Sequence, residues 1–308
     1  MSIKKYIPIQ ITPHFYQLGT HPFPAYLSVG KEAMIIEGGT GATADIVVDQ
    51  IKQLGIAPER IKYIILTHSH SDHIGAVPRW KKVWPHLKVL AGPIADKLLQ
   101  KGDAVKEFIA SDNIISEIVY KKGEITSLPE VLPDYVFHID IPVDEGYEID
   151  LGDGITWRIL DVPGHSPCHI SLFNPGEAIL AVGDATGFHV PEKGIFWPNY
   201  FSSLEDYCKS IKNLALLPAR IGALSHNGVI FGDIKKYLEN ALNATGDYHT
   251  EMVTRLKQGE TSDDIATEKA KWVYTLTDYF PIELMYDLAK VLISRSKKAN
   301  VTDDLFNI

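Results

Sequence analysis

The sequence predicts an α/β fold, and three observations carry that prediction. Through the first half, apolar runs of strand length alternate with amphipathic segments of helix length, as in sheets covered by helices. A second β-rich stretch begins after Glu145, and from Ile234 onward the pattern is almost wholly helical. With 308 residues and 45% hydrophobic content, the chain can bury a large core, in one domain or one domain with an appendage. The division expected is a main domain over 1–233, with a helical insertion at about 94–120, and a C-terminal helical region over 234–308.

Taken in order, Tyr26-Leu27-Ser28-Val29 and Ala33-Met34-Ile35-Ile36 read as hairpin strands around Gly30-Lys31, the second ended by Glu37-Gly38-Gly39. Residues from about Ala42 to Leu54 read as an amphipathic helix, with Ile46, Val47, Ile51 and Leu54 on one face and Gly55 as its stop. Tyr63-Ile64-Ile65-Leu66 reads as a buried strand, followed by a short helix near 76–82 and a strand at Lys88-Val89-Leu90-Ala91. The segment from about Ile94 to Tyr120 looks helical and is placed to cover a site. Strands are expected at 147–150, 155–160, 170–173 and 178–182. In the last quarter, Gly259-Glu260-Thr261 divides two helices, and Pro281 opens a final one through Leu284, Leu288 and Leu292.

The chemistry concentrates in Thr67-His68-Ser69-His70-Ser71-Asp72-His73, where three of the chain's 12 histidines and a carboxylate fall within six positions at the end of an apolar strand. His68 and His70 are two apart, so in an extended segment they point the same way and can reach one metal. Asp72 and His73 follow once the chain bends and can face a second. Imidazole and carboxylate ligands suit zinc, iron or manganese.

The pattern H-x-H-x-D-H after an apolar strand resembles the metallo-β-lactamase superfamily. That resemblance demands three further ligands at later strand ends. His165 in Pro163-Gly164-His165-Ser166, Asp184 in Gly183-Asp184 and His226 in Ser225-His226-Asn227-Gly228 meet the demand in order, each after an apolar run and beside glycine or a glycine turn. Singly, each has a plainer reading: a turn histidine, a helix cap, a residue before an Asn-Gly turn. Together they form a set in register with the first motif. The resemblance implies a four-layer αββα sandwich whose catalytic domain is 1–233, and two divalent ions per chain, zinc or iron, with manganese also admitted. It implies His68, His70 and His165 on the first ion, Asp72, His73 and His226 on the second, and Asp184 bridging both. A hydroxide between the ions would be the nucleophile, and Asp72 would manage the proton as catalytic residue. His169 lies four after His165 but before an apolar strand, which suggests a supporting role; Cys168 is read as packing.

Among branches of the superfamily, the flavodiiron pattern is disfavoured because it places glutamate where this chain has His70. Nucleases carry extra domains or a basic surface. Glyoxalase II uses basic glutathione-binding residues that have no match here, and acyl-homoserine lactonases are generally shorter. The quinolone-signal response thioesterase branch is similar beyond the ligands, in Glu37-Gly38-Gly39, Gly183-Asp184-Ala185, Leu204-Glu205-Asp206-Tyr207 and Tyr279-Phe280-Pro281. The chain departs from that branch at Asn227. The similarity implies an aromatic acyl-CoA thioester as substrate. Phe188, His189, Phe196, Trp197 and Tyr200, in a proline- and glycine-containing segment read as a loop, are the candidate substrate-binding residues.

The expected function is therefore a dinuclear metal-dependent hydrolase of a thioester or ester. The alternatives are a lactone hydrolase with the same site, or a binding or regulatory protein that keeps the metal as a staple. A net charge of −9 argues against a nucleic-acid surface. The two cysteines, Cys168 and Cys208, make no disulfide framework and fit a cytoplasmic setting. The N-terminal segment with Lys4 and Lys5 lacks a signal-peptide core, and no apolar run is long enough for a membrane span. The partner expected is a small-molecule substrate, with neither nucleic acid nor membrane; a homodimer through the helical appendage is one arrangement this leaves open.

Overall fold

Two sheets face each other, and helices cover both outer faces. The computed structural model describes residues 6–135, 137–302 and 304–308; Lys4 and Lys5 lie outside the described residues. The first half contributes β1 (Ile9–Thr12), β2 (Phe15–Gly19), β3 (Pro24–Val29), β4 (Ala33–Ile36), α1 (Ala44–Gln53), β5 (Ile61–Ile65), α2 (Val77–Val83), β6 (Lys88–Ala91), α3 (Pro93–Leu99), α4 (Gly102–Lys121) and β7 (Ile141–Pro142). Then come β8 (Glu148–Asp150), β9 (Thr156–Asp161), β10 (Ile170–Asn174), β11 (Ile179–Gly183), β12 (Phe188–Val190), β13 (Ile195–Trp197), α5 (Leu204–Leu214), β14 (Ile221–Leu224) and β15 (Val229–Phe231). The chain ends in α6 (Ile234–Lys257), α7 (Ser262–Tyr274) and α8 (Ile282–Lys298).

Strands β1 to β7 form one sheet in chain order; the second runs β15-β14-β11-β10-β9-β8. The β3–β4 hairpin is antiparallel, and β4, β5, β6 and β7 are parallel neighbours, as helical crossovers require. Between the sheets, Phe15, Tyr26, Met34 and Ile65 meet Trp157, Ile159 and Leu172, all essentially without exposure. Trp157 Nε1 donates to Ser28 Oγ across the interface at 2.8 Å, so the indole is buried with its polar atom satisfied. Val47 and Ile51 of α1 and Trp80 of α2 pack on the outer face of the first sheet. Tyr207 and Ile211 of α5 and Leu238 and Leu242 of α6 pack with Leu180 and Val182 of the second. The result is the αββα sandwich, with the C-terminal helices extending its second helical layer.

Two expectations change in detail. The segment at about 94–120 is two helices: Pro93 starts α3, and the chain breaks at Gln100-Lys101 before α4. The segment expected as a loop at 188–201 contains a hairpin, β12 paired antiparallel with β13 around Pro191–Gly194. Gly194 at φ +63° makes the turn, and the β-forming residues on either side make the strands.

Helix α4 is pinned by one buried carboxylate. Asp112 accepts the Gly41 N–H at 2.7 Å and lies 3.8 Å from the Arg79 guanidinium. Gly75 passes so close that a Cβ there would stand 2.3 Å from Asp112 Oδ1.

Candidate metal centre

All seven predicted ligand positions converge at one end of the sandwich, on loops leaving β5, β9, β11 and β14. His68, His70, Asp72 and His73 follow β5; His165 follows β9, Asp184 follows β11 and His226 follows β14. The first sheet therefore supplies four of these residues and the second supplies three. Three groups have ligand atoms close enough to share an ion: His68 with His70 and His165, His68 with His73 and Asp184, and Asp72 with His73 and His226.

The first group is the tightest. His68 Nε2 lies 2.9 Å from His70 Nδ1, and His165 Nε2 lies 3.3 Å from the former and 3.1 Å from the latter. Nitrogens about 2.05 Å from a tetrahedral ion stand roughly 3.3 Å apart, so this triangle matches a cation at its centre. Asp184 Oδ2 sits between the groups, 3.4 Å from His73 Nε2, 3.5 Å from His165 Nε2, 3.8 Å from His226 Nε2 and 4.0 Å from His68 Nε2. Asp72 Oδ2 faces His73 Nε2 at 3.3 Å and His226 Nε2 at 3.5 Å.

The outward nitrogens fix which way the inward ones serve. His165 Nδ1 meets the Asn199 carbonyl at 3.0 Å and His226 Nδ1 the Pro22 carbonyl at 2.8 Å. His73 Nδ1 meets Glu37 Oε2 at 2.9 Å, and His68 Nδ1 meets Thr67 Oγ1 at 3.0 Å. A ring that donates outward presents a bare Nε2 inward, the tautomer a metal needs. His73 Nε2 is buried without a hydrogen-bond partner, an orphan that a metal bond would satisfy.

Electrostatics agree. Burial holds His68 well below the usual imidazole range and His165 down at about 3, so the first group is neutral and ready to ligate. Burial also opposes charge on His73, but the Asp72, Glu37 and Asp184 carboxylates override it and hold that imidazole well above its ordinary range. A proton on His73 thus occupies the place of a cation, and metal binding would displace it. Burial disfavours ionised Asp184, yet the surrounding imidazoles, His226 first, hold its carboxyl well below the usual range. The donor set therefore fits two divalent ions.

Glu37 is the functional residue that sequence reasoning missed. It is 2% exposed, sits at φ +76°, and accepts from Thr67 Oγ1 and Ser225 Oγ on one oxygen and His73 Nδ1 on the other. One carboxylate thus ties together the loops after β4, β5 and β14. The available signal is the Glu-Gly-Gly at a strand end, which the sequence reading takes as a terminator and as a point of family likeness without giving Glu37 a role. His169 does support the centre, its Nε2 accepting the Asp184 N–H at 2.9 Å. Cys168 is buried 3.4 Å from Ser69 Oγ and Ser166 Oγ and belongs to none of the ligand groups.

A cavity of about 480 Å³ opens onto His70, Asp72, His165, Asp184 and His226. Its walls come from α4, from the 188–201 segment and from the start of α8. Of the five candidate substrate contacts, Phe188 and Trp197 line it. His189 and Phe196 do not. They pair across the hairpin one register position further on, stack at 4.1 Å, and line a separate groove with Tyr237 of α6. Strand alternation sends neighbouring side chains to opposite faces, which the loop reading had concealed. Tyr200 is fully buried against Tyr207 and Tyr248, with its hydroxyl 2.8 Å from Ser296 Oγ. Phe201, absent from the expected contacts, lines the cavity and packs against His165.

Comparison with known proteins agrees with this geometry. The Metallo-beta-lactamase superfamily profile matches residues 25–226. The chain is similar to an N-acyl homoserine lactonase, AttM, of Azorhizobium caulinodans, 28% identical over 57% of this chain and 60% of that one. It is also similar to an atrochrysone carboxyl ACP thioesterase of Aspergillus fumigatus, 25% identical over 66% of this chain and 50% of that one. The chain thus spans only about half to three-fifths of these relatives. Among solved structures, metallo-beta-lactamase family protein TTHA1429 of Thermus thermophilus superposes with a TM-score of 0.62 at 20% identity, over 94% of each chain, a likeness of fold.

Proposed function

Since the chain belongs to the metallo-beta-lactamase superfamily of metal-dependent hydrolases, we propose that it cleaves an ester or thioester of a hydrophobic acyl group at a dinuclear centre. The observation that carries this is Asp184 Oδ2 lying within 4.0 Å of imidazoles from both ligand groups, at the floor of a largely apolar cavity. His68, His70 and His165 would hold one ion, Asp72, His73 and His226 the other, and Asp184 both. When bound, the ions supply an acidified water and a Lewis acid for the scissile carbonyl.

The chain's own groups do the rest. Glu37, Thr67 and the Asn199 and Pro22 carbonyls hold the imidazoles in their inward-facing tautomers. Asp72 opens onto the cavity and is placed to take a proton and return it to the leaving group. Phe188, Trp197 and Phe201 form an apolar wall that seats the acyl chain and keeps bulk water away.

The test is thiol release from a panel of aromatic and aliphatic thioesters, with a homoserine lactone alongside, using metal-reconstituted protein and its Asp184→Ala and Asp72→Asn variants. Asp184→Ala should lose bound metal and turnover together, and Asp72→Asn should lose turnover. Retained turnover in Asp184→Ala would end the bridging assignment. Lactone opening without thiol release would favour the lactone reading, which the similarity to a lactonase supports.

A further inference from the structure

The mouth of the cleft carries a charge pattern that the hydrolase reading alone does not explain. Glu107 of α4 and Glu283 and Asp287 of α8 line it, all three exposed, and no lysine or arginine is among its lining residues. Some carboxylates elsewhere are paired: Arg255 serves Glu251, Glu260 and Glu268, and Lys81 and Lys88 serve Asp140. Glu107, Glu283 and Asp287 have no ion-pair partner among the described residues.

Two further observations point the same way. Glu283 and Asp287 stand four apart on one helix, a like-charge spacing that weakens a helix unless something else compensates. The first turn of α8 faces the cleft, and Glu283 in that turn itself meets the preference of a helix N-terminus for negative charge, leaving less of it for a bound anion. Asp72 and Asp184 at the cavity floor, with Glu37 behind His73, offset most of the positive charge that two divalent ions would bring. An approaching substrate therefore meets a mouth that is negative and a floor that is close to neutral.

We propose that this cleft selects acyl compounds whose leaving group is uncharged or cationic, and discriminates against polyanionic carriers such as coenzyme A. The inference rests on the hydrolase reading and narrows it. It departs from the acyl-CoA thioester that the family resemblance implies, because nothing in the cleft answers the phosphates. Glu107, Glu283 and Asp287 are the specificity-determining residues, and the apolar wall behind them takes the acyl chain.

The experiment presents one acyl group on three thiols: thiocholine, pantetheine and coenzyme A. With reconstituted enzyme at low ionic strength, kcat/KM should fall in that order, with coenzyme A at least about tenfold below pantetheine. The gap should close as salt rises, because the Debye length shrinks to about 8 Å at physiological ionic strength. The Glu283→Gln/Asp287→Asn double variant should raise the coenzyme A to pantetheine ratio several-fold. Calorimetric binding of the matching non-hydrolysable thioethers should show the same order, independently of turnover. A coenzyme A thioester used as well as the pantetheine thioester, with a ratio indifferent to salt and to the double variant, would overturn this inference and leave the hydrolase reading intact. No thiol release from any carrier would sink both.

Discussion

Replacing Glu37 by glutamine changes one atom and should loosen the metal centre without unfolding the protein. The direction of every hydrogen bond around Glu37 is fixed. His68 Nδ1–H donates to Thr67 Oγ1, whose own hydroxyl donates to Glu37 Oε1; Ser225 donates to the same oxygen, and His73 Nδ1–H donates to Oε2. A carboxylate can accept all of these, but an amide has only one oxygen. If the amide nitrogen turns toward His73, two donors face each other, and relief requires the tautomer that cannot ligate through Nε2. If it turns the other way, it opposes the Thr67 and Ser225 hydroxyls. At least one hydrogen bond to a charged group is lost, worth about 1.5–3 kcal/mol. That equals roughly a 10- to 100-fold loss of metal affinity, the usual scale for the partners of metal ligands. The assay is zinc competition against a chromophoric chelator, with far-UV circular dichroism to confirm the fold. Ser225→Ala, which removes one donor and leaves the carboxylate, should lose less. Zinc affinity in Glu37→Gln within about twofold of the parent would refute the role assigned to this carboxylate.

Two further outcomes test the frame around the site. Burial raises Asp112 to about 6, despite the Gly41 N–H and Arg79. A raised carboxyl keeps its proton longer in the folded state, so its contribution to stability is greatest below the unfolded pKa and is lost as pH rises towards 6. In chelator, the stability of the parent minus that of Asp112→Asn should therefore fall by up to about 3 kcal/mol between pH 4 and pH 7, measured by urea unfolding; a flat difference would mean the carboxyl is not perturbed. Gly164, next to His165, has φ +127° and lies where a Cβ would stand 2.2 Å from the Tyr207 backbone nitrogen. Gly164→Ala should lower the melting temperature by about 5 °C or more, and an unchanged melting temperature would show that the loop relaxes freely.

The convergence of the seven candidate ligands was legible in the sequence because each stands at the end of an apolar run, and strand ends of adjacent strands meet in space. Glu37 was not legible as a partner of His73, since its contacts join three loops that only the fold brings together. The aromatic segment was half legible. Composition pointed to an aromatic segment, of whose five named side chains Phe188 and Trp197 line the cavity; the register, Phe188 opposite Trp197 and His189 opposite Phe196, decides which pair faces it. The segment at 94–120 is helical, as its pattern predicts, though broken into α3 and α4, while the carboxylate that holds α4 down, Asp112, carries no signal in a pattern of polar and apolar residues.

The walls of the cavity come from α4, the β12–β13 hairpin and α8, and none of the seven ligand positions lies on these elements. The two parts of the molecule can therefore have separate histories. Substitutions at Glu107, Ile114 or Leu284 would reshape the cavity lining while leaving the register of the histidines untouched. A lineage built this way can change its diet residue by residue and remain an enzyme at every step. A laboratory library confined to those walls should likewise yield a high proportion of folded, metal-loaded proteins with shifted preferences.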